Sequence, residues 1–526
     1  MVPAAEDDRG ELIGADLDAR GATVRNVAVM SGGTLLSRAT GVVRVTATLA
    51  ALGAGNVLAD SYFKANTTPN IVYELVLGGV LTSVFVPLLV DWGKRHGDDA
   101  AREAGARFLT VVLVVLSATT LVAMAAAPWI MRLYLIGVTD PATHAAELDA
   151  GTFFLRWFMP QIVFYGLGAV AAGILTANRR FAAQMYAPIV NNVAVIATML
   201  VFISMRGGAD TDLSNVTQVQ RVVLAAGTTL GVIGMTLALW PSLRAIGFRW
   251  RLRFDWRHET VRRLLVLARW VAVYVIVNQI AYFFIIVFNG HVATGSYVIY
   301  SQAFIFFSLP HAIVAVSIFT ALLPGMSERW SVGAVDGVRE LFSRGIRDTE
   351  IVMVPAGVGI MVLAGPIVVL LASYGAMRVA DTDLLGRTLA TFAVGLPFFS
   401  AFQLLTRTFY ATQDARTPAL SNIAVCVVNL VGDVWLAFGL DLGVRGLALG
   451  FALSYLVGTA ILAVRLRARL GGLDGRRIGA TLLKTVGASA LTAAAAWGVS
   501  QQTLRIRLQD LGLIDDTDGV RLDGLW

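Results

Sequence analysis

Residues 26–92 read NVAVMSGGTLLSRATGVVRVTATLAALGAGNVLADSYFKANTTPNIVYELVLGGVLTSVFVPLLVDW. Each half is apolar enough, and long enough, to cross a bilayer, which takes about 20 residues for a hydrocarbon core of about 30 Å. The first half nevertheless carries Arg38 and Arg44 near its middle. An arginine at the centre of a spanning helix costs about 2.5–3.5 kcal/mol on insertion scales, so the pair is tolerable only facing water, a partner or an anion. The second half begins with Asp60 and Lys64 and is interrupted by Thr67, Thr68, Pro69 and Asn70. Pro69 has no N–H and its ring clashes with the preceding turn, which predicts a bend or break there. A broken helix at membrane depth must line a cavity or be buried in protein. The hairpin therefore predicts one wall of a polar, positively charged cavity inside a membrane protein.

The rest of the chain fits that setting. Of 526 residues, 56% are hydrophobic and 15% charged, with a mean hydropathy of +0.70. Soluble domains carry about 25% charged residues. The apolar runs are too long for barrel strands, which need only about 9–11 residues. Spanning stretches recur near 26–52, 62–92, 108–136, 152–177, 183–205, 222–243, 264–289, 297–323, 348–373, 387–411, 418–440, 443–466 and 479–499. Loops on the N-terminal side of these spans hold 23 lysines and arginines, and those on the opposite side hold 5. The positive-inside rule then puts the N-terminus in the cytoplasm. The net charge of +7 follows from those loops and does not call for nucleic acid. Residues 1–25 are polar and acidic, unlike a signal peptide, and are expected to form a disordered cytoplasmic tail. The polar end at Trp526 leads one to expect a fourteenth span beyond it.

Residues 173–195 and 407–429 share a pattern: a short polar turn with arginine, a proline, then an apolar helix with asparagine. This predicts an all-α polytopic fold of two six-helix lobes. The N-lobe is placed at 26–243, a basic linker at 244–263, the C-lobe at 264–470, and a last span with a polar extracytoplasmic tail at 471–526.

Arg38 and Arg44 fall on neighbouring polar stripes of one helix, with Ser31, Thr34 and Gly41 on the first and Ser37, Thr40 and Thr48 on the second. Two readings stand. One is an anion site, for which the planar guanidinium suits phosphate oxygens. The other is a structural ion pair with Asp60 or Glu74. Asn429 and Asp433, four apart on one face, offer oxygens to a hard monovalent cation or cap a neighbouring helix. The lone Cys426 excludes a disulfide, and the five scattered histidines give no zinc motif. No nucleophile motif, carboxylate pair or phosphate loop points to an enzyme.

LLSRATGVVRV, AGNVLADSYFKANTTPNI, GILTANRRFAAQMYAPIVNN, FTALLPGMS and RTFYATQDARTPAL resemble the MurJ/MviN family of lipid II flippases in the MOP transporter superfamily, in its actinobacterial form. The resemblance runs from about Asn26 to Ser500. It implies two six-helix lobes around a cationic cavity, C-terminal helices forming a lipid groove, and transfer of undecaprenyl-pyrophosphate-linked precursor to the outer leaflet by alternating access. It also implies location in the cytoplasmic membrane, contact with membrane lipid and cell-wall synthesis proteins, no organic cofactor, and a coupling monovalent cation. Arg38 and Arg44 match two cavity arginines, Asp60 the acidic residue early in the second helix, and Asn429 and Asp433 the sodium pair of some members. The sequence departs from the family pattern at Val45, Tyr73, Glu74, Gly78 and Ile305. The expected headgroup site is Arg38 and Arg44 with Lys64 assisting, joined by Asp60, Asn70 and Glu74, and the expected hinges are Pro69, Gly78 and Gly79. Rival readings are a MATE-like exporter of another substrate, which would want acidic cavity residues, and a non-transporting cell-wall scaffold, which would have a sealed apolar lobe interface.

Overall fold

The computed structural model describes residues 32–78, 97–178, 180–207, 211–249 and 269–510, with single positions at 89, 92 and 95. The tail 1–25, most of the linker 244–263, Gly79 and the last sixteen residues lie outside them. Among the described residues there is no strand. Within these residues eleven helices are long and apolar enough to cross a membrane, or twelve if one bent pair counts as a span.

In chain order, α1 is Gly32–Leu52 and α2 is Val57–Tyr73, which runs on into a π-turn at Glu74–Gly78. Then come α3 (Asp98–Tyr134), α4 (Pro141–Phe158), α5 (Gln161–Ala177), α6 (Ala182–Arg206), α7 (Gln218–Leu237) and the short α8 (Trp240–Ala245). The second half holds α9 (Arg269–Val292), α10 (Ser296–Pro310), which continues through a π-turn at His311–Ala315 into α11 (Val316–Ser331), and α12 (Val335–Ala372). It ends with α13 (Val379–Ala393), α14 (Leu396–Ala411), α15 (Arg416–Asp433, with a π-turn at Val434–Gly439), α16 (Gly443–Leu470) and α17 (Gly475–Asp510).

Several boundaries differ from the sequence reading for identifiable reasons. Pro69 does not break α2, which stays helical to Tyr73. The hydroxyls of Thr67 and Thr68 donate to the carbonyls of Phe63 and Lys64 one turn back, and Glu74 N–H reaches the carbonyls of Asn70 and Ile71. The irregularity is displaced to the π-turn at Glu74–Gly78, a kind of distortion that recurs at functional positions. The span expected at 152–177 starts at Pro141, because Asp140 accepts the Thr143 N–H at 2.8 Å and Pro141 occupies the first turn. That is a strong helix-start signal. The last helix continues to Asp510, past the polar residues expected to begin an extracytoplasmic tail.

Within residues 173–195 one helix ends at Ala177 and the next begins at Ala182, and within 407–429 one ends at Ala411 and the next begins at Arg416. Each half has its own aromatic core. Tyr62 meets Phe63, Phe154 and Phe158 edge-on in the first. Phe304, Phe307, Phe392 and Phe451 interlock in the second.

The halves are joined firmly at one end. There Ala376 N–H donates to Ala50 O at 2.9 Å and Gly55 N–H to Asp381 Oδ2 at 3.2 Å. Gly295, at φ +84°, lies so close to Ala54 that a Cβ there would sit 2.3 Å from its carbonyl oxygen. Tyr297 O–H donates to Thr67 Oγ1 at 2.9 Å. This closed end is the floor against which the site is built.

Candidate functional site

A cavity of about 480 Å³ lies between the halves. From the first half it is lined by Arg44, Thr48, Tyr62, Asn66 and Asn191, and from the second by Asn278, Gln279, Gln302, Asn429 and Ser454, among others. Among the described residues lining it, Arg44 is the one charged side chain. Its guanidinium is half-buried and has no carboxylate partner among the described residues. Tyr62, whose hydroxyl is 2.7 Å from Thr228 Oγ1, forms part of the same wall. The second polar stripe of α1 divides its work. Asn192 Nδ2 on α6 donates to Ser37 O at 3.1 Å and Thr40 Oγ1 at 3.0 Å, which fixes the helix and leaves Arg44 and Thr48 to face the cavity.

The remaining candidates go to different places. Arg38 is exposed on the surface of α1 and outside the cavity wall, about 9 Å along α1 from Arg44 at 1.5 Å per residue. No ion pair holds it among the described residues. Lys64 and Asp60 are not cavity groups. Lys64 Nζ is buried 2.8 Å from Asp60 Oδ2 and 2.9 Å from Glu147 Oε2, so its charge is already engaged and it does not reach the cavity as an assisting cation. Asn70 is exposed and Glu74 half-buried in the π-turn, and neither lines the cavity. The ion pair of an α1 arginine with Asp60 or Glu74, the structural alternative, is not formed. Asn429 Nδ2 donates to Asp433 Oδ1 at 2.9 Å, while the buried Asp433 Oδ2 has no partner.

Three features escaped the sequence reading. Glu147, the partner of Lys64, lies in the stretch that hydropathy alone assigns to a loop before the fourth span. The Asp140–Pro141 start signal was the clue that would have placed it in a helix. The amides Asn278, Gln279 and Gln302 gave no signal, since neutral polar residues are common in spanning helices. Glu350, whose two carboxylate oxygens are buried without a partner, was hidden inside an arginine-bearing stretch.

The sequence profile of the family described as "Lipid II flippase MurJ" matches residues 49–508. The chain is 30% identical over 416 residues to "Probable lipid II flippase MurJ" of Rhizobium meliloti, covering 77% of this chain and 74% of that protein. The chain belongs to the MurJ lipid II flippase family. "Lipid II flippase MurJ" of Burkholderia cenocepacia is 26% identical over 455 residues, covering 85% of this chain and 84% of that one. Among solved structures, a MurJ in an inward closed conformation superposes with a TM-score of 0.71 at 19% identity, over 92% of this chain and 99% of that one. An inward-facing MATE transporter of the MOP superfamily superposes at 0.65 and 14% identity, over 83% and 96%. These two likenesses show that the chain shares its fold with both structures, and the multi-span helical architecture makes this MurJ-family chain a membrane protein. Of the rival readings, the exporter wanted acidic cavity residues and the scaffold a sealed apolar interface. Among the described residues the cavity of this MurJ-family chain is lined by polar as well as apolar side chains, and its one charged group is Arg44.

Proposed function

We propose that this chain carries lipid II from the inner to the outer leaflet by alternating access of its two lobes. The observation that carries the reading is Arg44, an unpaired guanidinium in a polar cavity shared by both halves. A buried charge needs a counter-charge or water, and a pyrophosphate supplies the first with bidentate geometry. Arg38, exposed on the same helix, would meet the headgroup before Arg44 does. The amides of Asn278, Gln279 and Gln302 offer neutral hydrogen bonds to sugar and peptide groups.

With the N-terminus cytoplasmic, as the loop charges require, the closed end faces outward. Transport then means parting the contacts at Ala50, Gly55 and Gly295 and closing the opposite end around a site near the midplane. The reading involves no chemical step, so no catalytic residue is assigned. Cell-wall synthesis proteins on either side would supply the precursor and consume it. A coupling monovalent cation fits the orphaned Asp433 Oδ2, a hard buried oxygen of the kind such ions take, with Asn429 beside it.

The test is flipping of labelled lipid II in proteoliposomes. Charged hydrogen bonds contribute about 1.5–3 kcal/mol, so Arg44→Ala should slow transport roughly 10–100-fold, and Arg38→Ala should weaken capture at low substrate. Wild-type rates for Arg44→Ala would remove the anion role.

A further inference from the structure

We propose that the Asp60–Lys64–Glu147 cluster is a proton-binding site, loaded while the closed end of the molecule is shut and emptied when that end parts. The charges do not balance. Two carboxylates meet one ammonium, at 2.8 and 2.9 Å, and all three side chains have relative exposures of 0–1%. Asp60 Oδ1 and Glu147 Oε1 are fully buried and have no hydrogen-bond partner. A net negative charge held this far from water is very expensive, and a buried carboxylate in that position takes a proton instead. One proton, on the free oxygen of either carboxylate, makes the cluster neutral and turns an orphaned acceptor into a donor.

The position of the cluster gives the proton a role. Gly290 of α9, across the lobe interface, lies directly over Lys64: a Cβ there would be 4.0 Å from Nζ and 3.4 Å from Tyr134 O. The second lobe therefore forms part of the lid that keeps the cluster dry. Other ionisable groups carried at this end by the packed elements are Arg132 and Tyr134 on α3, His144 and Asp149 on α4, His291 on α9 and Tyr297 on α10. None of them bonds to the cluster among the described residues. Asp149 is taken up by Arg221 at 3.3 Å, Tyr134 by Thr68 at 3.2 Å and Tyr297 by Thr67. When the lobes separate here, water reaches Lys64 from the α9 side. The proton then leaves as hydronium, and the cluster is left with a single negative charge that must be re-neutralised before the end can close. The site is separate from Asn429 and Asp433, which lie in the other lobe.

The timing rests on the alternating-access reading, but occupancy is read without transport. The full-length protein is reconstituted in phosphatidylethanolamine–phosphatidylglycerol vesicles at neutral pH, and the infrared C=O stretch of protonated carboxyl groups is recorded. Glu147→Gln and Asp60→Asn each remove the excess charge, so each is expected to lose one carboxylic-acid band that the wild type shows. If one variant does not fold, the other makes the same test. Retention of the full set of bands in the folded variants overturns the proposal. So does a wild-type spectrum with no carboxylic-acid band at all. A band that disappears on adding sodium, but not choline, at constant pH would make the ligand a metal cation and overturn the proton assignment. Loosening the closed end with Gly295→Ala should speed deuterium exchange of this band about 5–30-fold, matching a 1–2 kcal/mol shift in closure. Unchanged exchange would refute the lid.

Discussion

Replacing Lys64 by methionine should be among the most damaging single changes in the protein, although the residue touches no substrate. The ammonium is bonded to two buried carboxylates. Without it both must be neutral or remain as uncompensated charge in the protein interior. Holding one further carboxyl neutral at pH 7, about 3 units above its ordinary range, costs about 4 kcal/mol at 1.36 kcal/mol per unit. This agrees with the roughly 3–5 kcal/mol seen when one member of a buried ion pair is deleted. The assay is reversible unfolding in mixed micelles, with pH as the second variable. The deficit of Lys64→Met should be about 4 kcal/mol at neutral pH and shrink by about 1.4 kcal/mol per unit as the medium is acidified. The sign is fixed: acid supplies the protons that the missing ammonium made unnecessary. The triple variant Lys64→Met, Glu147→Gln, Asp60→Asn buries no charge and should regain most of the loss, because neutral replacements of buried ion pairs are often tolerated. A Lys64→Met protein within about 0.5 kcal/mol of wild type, or a deficit that does not change with pH, would refute the reasoning.

Gly295 is left-handed and pressed on Ala54 O, so Gly295→Ala should cost the closed end about 1–2 kcal/mol. In a Cys426→Ala background a cysteine at Ser296, which is 3% exposed, should then react faster with an impermeant maleimide, and an unchanged rate would show that the end does not depend on this contact. Asp414, outside the spans, receives the Thr417 N–H at 3.0 Å and the Thr417 O–H at 2.8 Å, with Arg469 at 3.4 Å. Burial pushes its carboxyl up, but the Thr417 amide and hydroxyl and Arg469 together pull it further down, to a net lowering. A lowered carboxyl adds stability above its unfolded value of about 3.9 that is lost as pH falls through the folded one. Hydrogen exchange at the start of α15 should therefore accelerate below about pH 4 in the wild type, and Asp414→Asn should be flat there.

Much of the architecture could be read from the sequence because a bilayer permits few solutions. Thirteen apolar runs and a one-sided loop charge already imply a helical bundle, and each run overlaps a helix of the structure, the second being described continuously to Gly78. Irregularities were harder to place. A proline names a missing N–H but not where the helix releases the strain, and in α2 that point is five residues on, at Glu74. Boundaries such as Pro141 were missed because a hydropathy reading discounts polar first turns, even when capping residues announce them.

The cations show where sequence reasoning stops. Arg38, Arg44 and Lys64 look alike as charged interruptions of apolar helices, and the insertion cost assigned to each is similar. Their roles are decided by distant residues. Lys64 meets Glu147, 83 positions away, across α2 and α4, and becomes part of a closed electrostatic unit. Arg44 meets no carboxylate among the described residues and keeps its donors for the cavity. An unpaired arginine and a paired lysine on consecutive helices also constrain each other. Had Glu147 been within reach of Arg44, the cavity would carry no net positive charge and would have no reason to attract an anion. The structure keeps them apart by directing Glu147 into the buried α2–α4 contact, so the N-lobe can hold a compensated cation and an uncompensated one on adjacent helices. An Ala65→Glu change, one residue from Lys64, tests that separation only if its carboxylate stays buried. A carboxylate placed on the cavity wall, as in Asn66→Asp, is the sharper probe: it should pair with Arg44 and depress lipid II binding without touching the Lys64 cluster.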